Sequence, residues 1–169
     1  GKLRKIIKNW VETKFSNDNL MIFEDTPDNP LGYGVQKLSN RYPDLHAYSI
    51  EDEIEVIGEA KTKNDINNEH TKSQLKDYID YLKIFKNNGY LIFAVPYDNR
   101  AEMINLIRNF VREMDNELLI NIFVIEDIFE LADINNDETI DILDIIKVVQ
   151  KVLYPIPGQV SILSVINTI

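Results

Sequence analysis

Asp44, Glu59 and Lys61 are the residues whose types and spacing point most directly to chemistry. Pro43-Asp44 opens one extended stretch, and Glu59-Ala60-Lys61 closes the next. On a strand, residues i and i+2 share a face, so Glu59 and Lys61 point the same way. If the two stretches form a hairpin, Asp44 comes within reach of them. Two carboxylates and a lysine on one sheet face offer hard oxygen ligands beside a cation. That donor set suits Mg²⁺, or Mn²⁺, which keeps waters and takes substrate phosphate oxygens as further ligands. A metal there would polarise a phosphodiester and lower the pKa of water, while Lys61 would orient the attacking water or stabilise developing charge. A bare E-x-K triplet is equally a surface salt bridge. Its setting in Ile54-Glu-Val-Ile-Gly-Glu-Ala-Lys, where most neighbours are apolar or small, asks for a further reason.

The elements that must position these residues can be read from hydrophobic periodicity. Leu3, Ile6, Ile7, Trp10 and Val11 form one stripe of an opening amphipathic helix, with Lys5, Lys8 and Glu12 opposite. Leu20–Phe23 reads as a short strand, Pro27 to Gly34 as a loop, and 44–50 with 54–62 as two strands of a hairpin turning at Glu51–Glu53. A helix is expected from about Asn68 to Asn87, buried through Leu75, Tyr78, Ile79, Leu82 and Phe85 and stopped by Asn88-Gly89. Tyr90–Val95 and Leu118–Ile125 read as buried strands. Met103, Ile104, Ile107, Phe110, Val111 and Met114 mark the helix between them. The order α-β-β-β-α-β-α-β predicts an α/β fold: a mixed sheet flanked by helices, with a right-handed crossover and a small helical extension after it. A domain at 1–131 and an acidic extension at 132–169 are expected.

This combination resembles the PD-(D/E)XK nuclease superfamily, the restriction-endonuclease-like fold. Pro43-Asp44, fourteen intervening residues and Glu59-Ala60-Lys61, in that element order, carry the resemblance over roughly residues 1–125. It implies metal-dependent hydrolysis of DNA phosphodiesters, with Asp44 and Glu59 as metal ligands and Lys61 as the catalytic lysine. Many members place Q-x-x-x-Y on the following helix, and Gln74 and Tyr78 match that pattern in Thr71-Lys-Ser-Gln-Leu-Lys-Asp-Tyr. The segment Gly58-Glu-Ala-Lys-Thr through His70 and Gln74 is also similar to nuclease-like proteins of bacteria and their mobile elements.

Helix geometry places His70, Gln74 and Tyr78 on one face, four residues apart. Gln74 falls at the rim between core and solvent, where its amide can reach a phosphate or simply be solvated. Tyr78 lies on the apolar stripe, so packing competes with substrate contact as its role. His46 shares a strand face with Asp44; it either touches substrate or is structural. Glu12 falls opposite the apolar stripe and is expected in solvent. Lys2, Arg4, Lys5 and Lys8, with Lys72, Lys76 and Lys83, read as phosphate contacts or as solvated helix faces. Tyr33, Gln36, Lys37, Asn40 and Arg41 lie on a loop that could approach DNA.

The tail carries a second constellation. Asp133, Asn135, Asp137 and Asp144 occupy positions 1, 3, 5 and 12 of a loop that resembles the calcium loop of a dockerin repeat. Glu138 stands where that turn wants Gly, and a single loop is present where dockerins carry two. The alternative is an acidic loop favouring the amino end of the helix that follows. Val160–Ile169 is expected to pack on the sheet or on a second subunit.

Composition bounds the rest. The 169 residues are 44% hydrophobic and 27% charged, which is globular and excludes disorder. With no Cys, disulfide frameworks, thiol nucleophiles and Cys-bound zinc are excluded. The net charge is −10, but residues 1–100 hold 14 basic against 16 acidic residues and residues 101–169 hold 4 against 12. The first part can therefore meet a polyanion locally. No apolar run approaches the roughly 18 residues that span a bilayer, and no signal-peptide pattern opens the chain. A cytoplasmic protein without membrane contact is expected. The reading that follows is a Mg²⁺-dependent DNA endonuclease with one site per chain, which needs a homodimer to cut both strands. Its rivals are a catalytically inactive nucleic-acid-binding module of the same fold, and a calcium-dependent protein-interaction module.

Overall fold

The computed structural model describes residues 1–25, 37–38, 40–114, 120–127, 139 and 142–153, with the side chains of 148 and 150–153 left aside. Two compact units divide the chain, Gly1–Asp127 and Ile128–Ile169. In the first, the elements are α1 (Lys2–Lys14), β1 (Met21–Glu24), β2 (Leu45–Ser49), β3 (Ile54–Ala60), α2 (Glu69–Leu82), β4 (Gly89–Pro96), α3 (Arg100–Glu113) and β5 (Asn121–Asp127). The element order is the one the periodicity predicts. The second unit contributes α4 (Ile142–Leu153).

The five strands form one mixed sheet in the order β1-β2-β3-β4-β5. β1, β2 and β3 run antiparallel in succession, and β3, β4 and β5 run parallel. The β2–β3 hairpin is set by its turn: Ser49 Oγ donates to Asp52 Oδ2 at 2.7 Å and accepts from the Asp52 amide at 3.2 Å. Glu53 completes the turn at φ 54°.

Alternation along the strands divides the core between the two faces. Leu45, Ala47, Val56, Ile92 and Ala94 pack with Ile7, Val11 and Phe15 of α1 and its end. Ile57, Leu91, Phe93 and Val95 pack with Leu75, Tyr78, Ile79 and Leu82 of α2 and Met103 and Ile107 of α3. The contact between α1 and the sheet is close at Gly58, where a Cβ would lie 2.5 Å from Ile7 Cγ2 and 3.2 Å from Leu45 Cβ. A larger residue there would push the helix off the sheet.

The second helix departs from its predicted span. It begins at the Asn68 cap, whose side chain accepts from the Thr71 amide at 2.8 Å. It stops at Leu82 rather than Asn87, and a 3₁₀ stretch over Lys83–Asn88 follows, broken at Lys86 with φ 51°. The chain must tuck under the helix end to enter β4: a Cβ on Gly89 would stand 2.7 Å from the Leu82 carbonyl oxygen. An α-helix continued to Asn87 would not leave room for that return. β5 runs over Asn121–Asp127; Leu118, its predicted start, lies with 115–119 outside the described residues. No helix among the described residues is long and apolar enough to cross a membrane.

Candidate active site

Because β2 is antiparallel to β3 and Leu45 pairs with Gly58, Asp44 at the entry to β2 comes level with the carboxyl end of β3. Its Oδ2 accepts from the Ala60 amide at 2.8 Å. The hairpin thus places the first carboxylate beside the E-x-K triplet, as the sequence predicts. Glu59 and Lys61 share a face, with Lys61 Nζ 3.2 Å from Glu59 Oε2. Both are buried, at 4% and 5% exposure. Lys61 is held in line because its amide donates to the Ala94 carbonyl of β4 at 2.9 Å, continuing the parallel ladder past the end of β3.

From above, α2 supplies two partners. Gln74 Oε1 accepts from Lys61 Nζ, and the Tyr78 hydroxyl donates to Glu59 Oε1 at 2.7 Å. Gln74 is 7% exposed, so it sits inside the site rather than at a solvated rim. Tyr78 packs its ring in the core, one of the two roles open for it in the sequence, and its hydroxyl serves the Glu59 carboxylate, a contact the sequence does not foresee. Burial pushes the Glu59 carboxyl above its ordinary range; Lys61 opposes this and the Asp44 charge adds to it. Burial, reinforced by the Glu59 charge, also pushes the Tyr78 phenol upward, which keeps it protonated as a donor.

Arg4 was not singled out by the sequence beyond its place in a basic stripe. Its Nη2 lies 2.5 Å from Asp44 Oδ1, and its Nη1 donates to the Asp25 carbonyl. The neighbouring lysines of α1 are likewise paired with acids, Lys2 with Asp127 at 3.2 Å and Lys8 with Glu24 at 2.7 Å. Glu12 is exposed, as its helix position predicts.

Other sequence-predicted residues stand apart from this cluster. His46 is on the expected strand face but buried, with Nε2 2.6 Å from Glu55 Oε1, an oxygen that also accepts from the Tyr81 hydroxyl at 2.8 Å. Glu55 lies four residues before Glu59, about 13 Å along the strand at roughly 3.3 Å per residue. His46 therefore belongs to a buried polar cluster deeper in the sheet and is not presented to a substrate. His70 is exposed in the first turn of α2. Arg41 is bound to α2, donating to Asp77 Oδ2 and Ser73 Oγ, both at 2.6 Å. Of the tail residues, Asp144 is buried in the first turn of α4. Asp133, Asn135 and Asp137 lie outside the described residues, as do Tyr33 and Gln36 and the segment 160–169.

Compared with family models, curated proteins and solved structures, the chain matches none of them. The site's chemistry therefore rests on its own geometry. No group of three or more His, Asp or Glu side chains is gathered for a metal among the described residues. Asp44 and Glu59 form a two-carboxylate set, which fits an ion that takes one or two carboxylates and fills its remaining positions with water and phosphate oxygens. Each carboxylate oxygen carries two lone pairs, so one hydrogen bond or ion pair does not exhaust it.

Proposed function

We propose that the chain is a metal-dependent DNA endonuclease that hydrolyses phosphodiester bonds, with the topology and site of the PD-(D/E)XK superfamily it resembles. The observation that carries the reading is the meeting of Asp44, Glu59, Lys61 and Gln74 at one end of the sheet, from three separate elements. A buried lysine between a carboxylate and an amide is costly to maintain for stability alone, since an apolar replacement is often neutral or better. A site that must act on an anionic group gives that cost a reason.

Asp44 and Glu59 would hold Mg²⁺ or Mn²⁺. When bound, such an ion supplies Lewis-acid polarisation of the phosphate and a lower pKa for water. Lys61 Nζ, fixed by Gln74 and Glu59, would orient the attacking water and stabilise charge building on the phosphate oxygens. Tyr78 holds the Glu59 carboxylate in place through its hydroxyl. Cutting both strands of a duplex with one site per chain calls for a homodimer.

A second reading is a DNA-binding module of the same fold without chemistry. What favours it is that the site's charges are already paired internally, Arg4 with Asp44 and Lys61 with Glu59. Incubation of supercoiled plasmid with the protein in Mg²⁺, Mn²⁺ or EDTA separates the two. The nuclease reading expects nicking in either metal, none in EDTA, and loss by about 10³-fold in Lys61→Ala, within the range a positioned electrostatic group contributes. Retained cleavage in Lys61→Ala would refute the mechanism, and metal-independent binding without nicking on several DNA forms would leave the binding module.

A further inference from the structure

The contact between α1 and the site has a chemical consequence. Asp44 Oδ2 accepts from the Ala60 amide at 2.8 Å, which fixes the carboxylate on the strand and leaves Oδ1 as the oxygen that faces α1. That oxygen is 2.5 Å from Arg4 Nη2. The guanidinium has a second anchorage on Asp25, whose carbonyl accepts from Nη1 and whose carboxylate Oδ2 lies 4.0 Å from Nη2. Both side chains retain access to solvent, 30% for Arg4 and 15% for Asp44.

Resting on the nuclease reading, we infer that Arg4 is a resident counter-ion of the metal site and a phosphate-binding residue of the loaded one. It competes with a divalent cation for Asp44, and on displacement it stays tethered through Asp25 and turns its fork to the DNA phosphate. Three features support this. A planar guanidinium presents five donors and suits phosphate in two-point contact, which an ammonium does not. The Asp25 carbonyl anchor is separate from the Asp44–Glu59 carboxylates, so it holds Arg4 without using either of them. Lys2 and Lys8, on the same helix, are paired with Asp127 and Glu24, whereas Arg4 is seated on Asp44. A helix-to-strand staple alone would account for the ion pair, and it makes the opposite prediction for metal affinity.

The test uses Mn²⁺ uptake followed by electron paramagnetic resonance, without DNA. Binding at this site is taken as the part lost in Asp44→Asn. In Arg4→Gln that part should tighten about tenfold, the scale expected when a unit charge a few ångströms from a divalent ion is removed in a solvent-screened setting. Duplex affinity measured in Ca²⁺ should weaken, with the slope of log affinity against log salt falling by about 0.9, one phosphate contact. Arg4→Lys should restore the salt slope but not the full affinity. Unchanged or weaker Mn²⁺ binding in Arg4→Gln, with a lower melting temperature, would overturn the inference in favour of a staple. If the wild-type chain nicks DNA in Mn²⁺ and Arg4→Gln fails these expectations, this inference alone falls. If the wild-type chain neither takes up Mn²⁺ nor nicks, the nuclease reading falls and takes the inference with it.

Discussion

Tyr78→Phe removes one oxygen and leaves the ring that α2 buries in the core. The lost contact is a 2.7 Å hydrogen bond from the phenol to Glu59 Oε1, away from solvent. Hydrogen bonds to charged groups contribute about 1.5–3 kcal/mol, against about 1 kcal/mol for neutral pairs. The variant should therefore lose about 2 kcal/mol where Glu59 is ionised and about half of that where it is protonated. With a urea m-value of about 1–3 kcal/mol/M, the larger deficit moves the unfolding midpoint by about 1 M. Trp10 is the single tryptophan of the chain and packs on Phe123 with ring centroids 4.8 Å apart, so its fluorescence reports unfolding of the sheet layer.

The sign of the pH dependence follows from the environment of Glu59. Burial raises its folded-state pKa above the ordinary 4.5, with Lys61 and the Tyr78 hydroxyl pulling the other way. A carboxyl raised in this sense contributes stability that is fully present below its unfolded pKa and is lost as pH rises through the folded value. Without the Tyr78 donor the ionised form is held less well, and the loss deepens. The deficit of Tyr78→Phe against the wild type should then open as pH rises from acid to neutral. On the nuclease reading, the acid limb of Mg²⁺-dependent nicking should move to higher pH in parallel. A deficit that is absent, or equal at acid and neutral pH, would refute the assignment of the phenol as a donor to an ionised Glu59.

Gln74→Leu takes the amide acceptor from Lys61 Nζ and leaves a buried ammonium with Glu59 alone, so stability should fall by about 1.5–3 kcal/mol in thermal unfolding. On the nuclease reading it should also slow nicking by at least tenfold with little change in duplex affinity. Gly58→Ala should cost about 1–3 kcal/mol, because its Cβ meets Ile7 Cγ2 at 2.5 Å. In an Ile7→Ala background, where that methyl is gone, the same substitution should cost little, and an unchanged cost in this double-mutant cycle would refute the close-contact account.

The element order could be read from the chain because each change of period marks a change of element. The stripe Leu3-Ile6-Ile7-Trp10-Val11 has helical spacing, and the run ending at Val95 suits a strand covered on both sides. The pairing of Glu59 with Lys61 follows from strand alternation, and the arrival of Asp44 follows from the hairpin. Alternation fixes a face but not a depth. His46 shares the Asp44 face as expected, yet two residues further along it is already buried against Glu55, whose carboxylate also accepts from Tyr81. Glu55 itself gave no signal, because a glutamate in Ile-Glu-Val is as compatible with an exposed strand face as with a buried acceptor. The Tyr78 ring could be read from its stripe, but its hydroxyl finds a partner on β3, which the spacing along one helix does not encode. Arg4 is the furthest from legible. Its place off the apolar stripe of α1 says only that it avoids the core, and its partner depends on how the helix crosses the sheet.

That crossing gathers the charges. β3, β4 and β5 end, β2 begins and β1 ends at the same side of the sheet, so Asp25, Asp44, Glu59 and Asp127 are spread along that side from one edge strand to the other. Against them stand Lys61 and, from the amino end of α1, Lys2 and Arg4. Because the ionised form of Glu59 is the one disfavoured by burial, cation uptake and proton release at this residue must be coupled. On the proposed reading, divalent affinity should therefore fall as pH drops through the Glu59 ionisation, and potentiometric proton release on Mn²⁺ addition should disappear in Glu59→Gln. Release that persists in that variant would place the linked proton on another group.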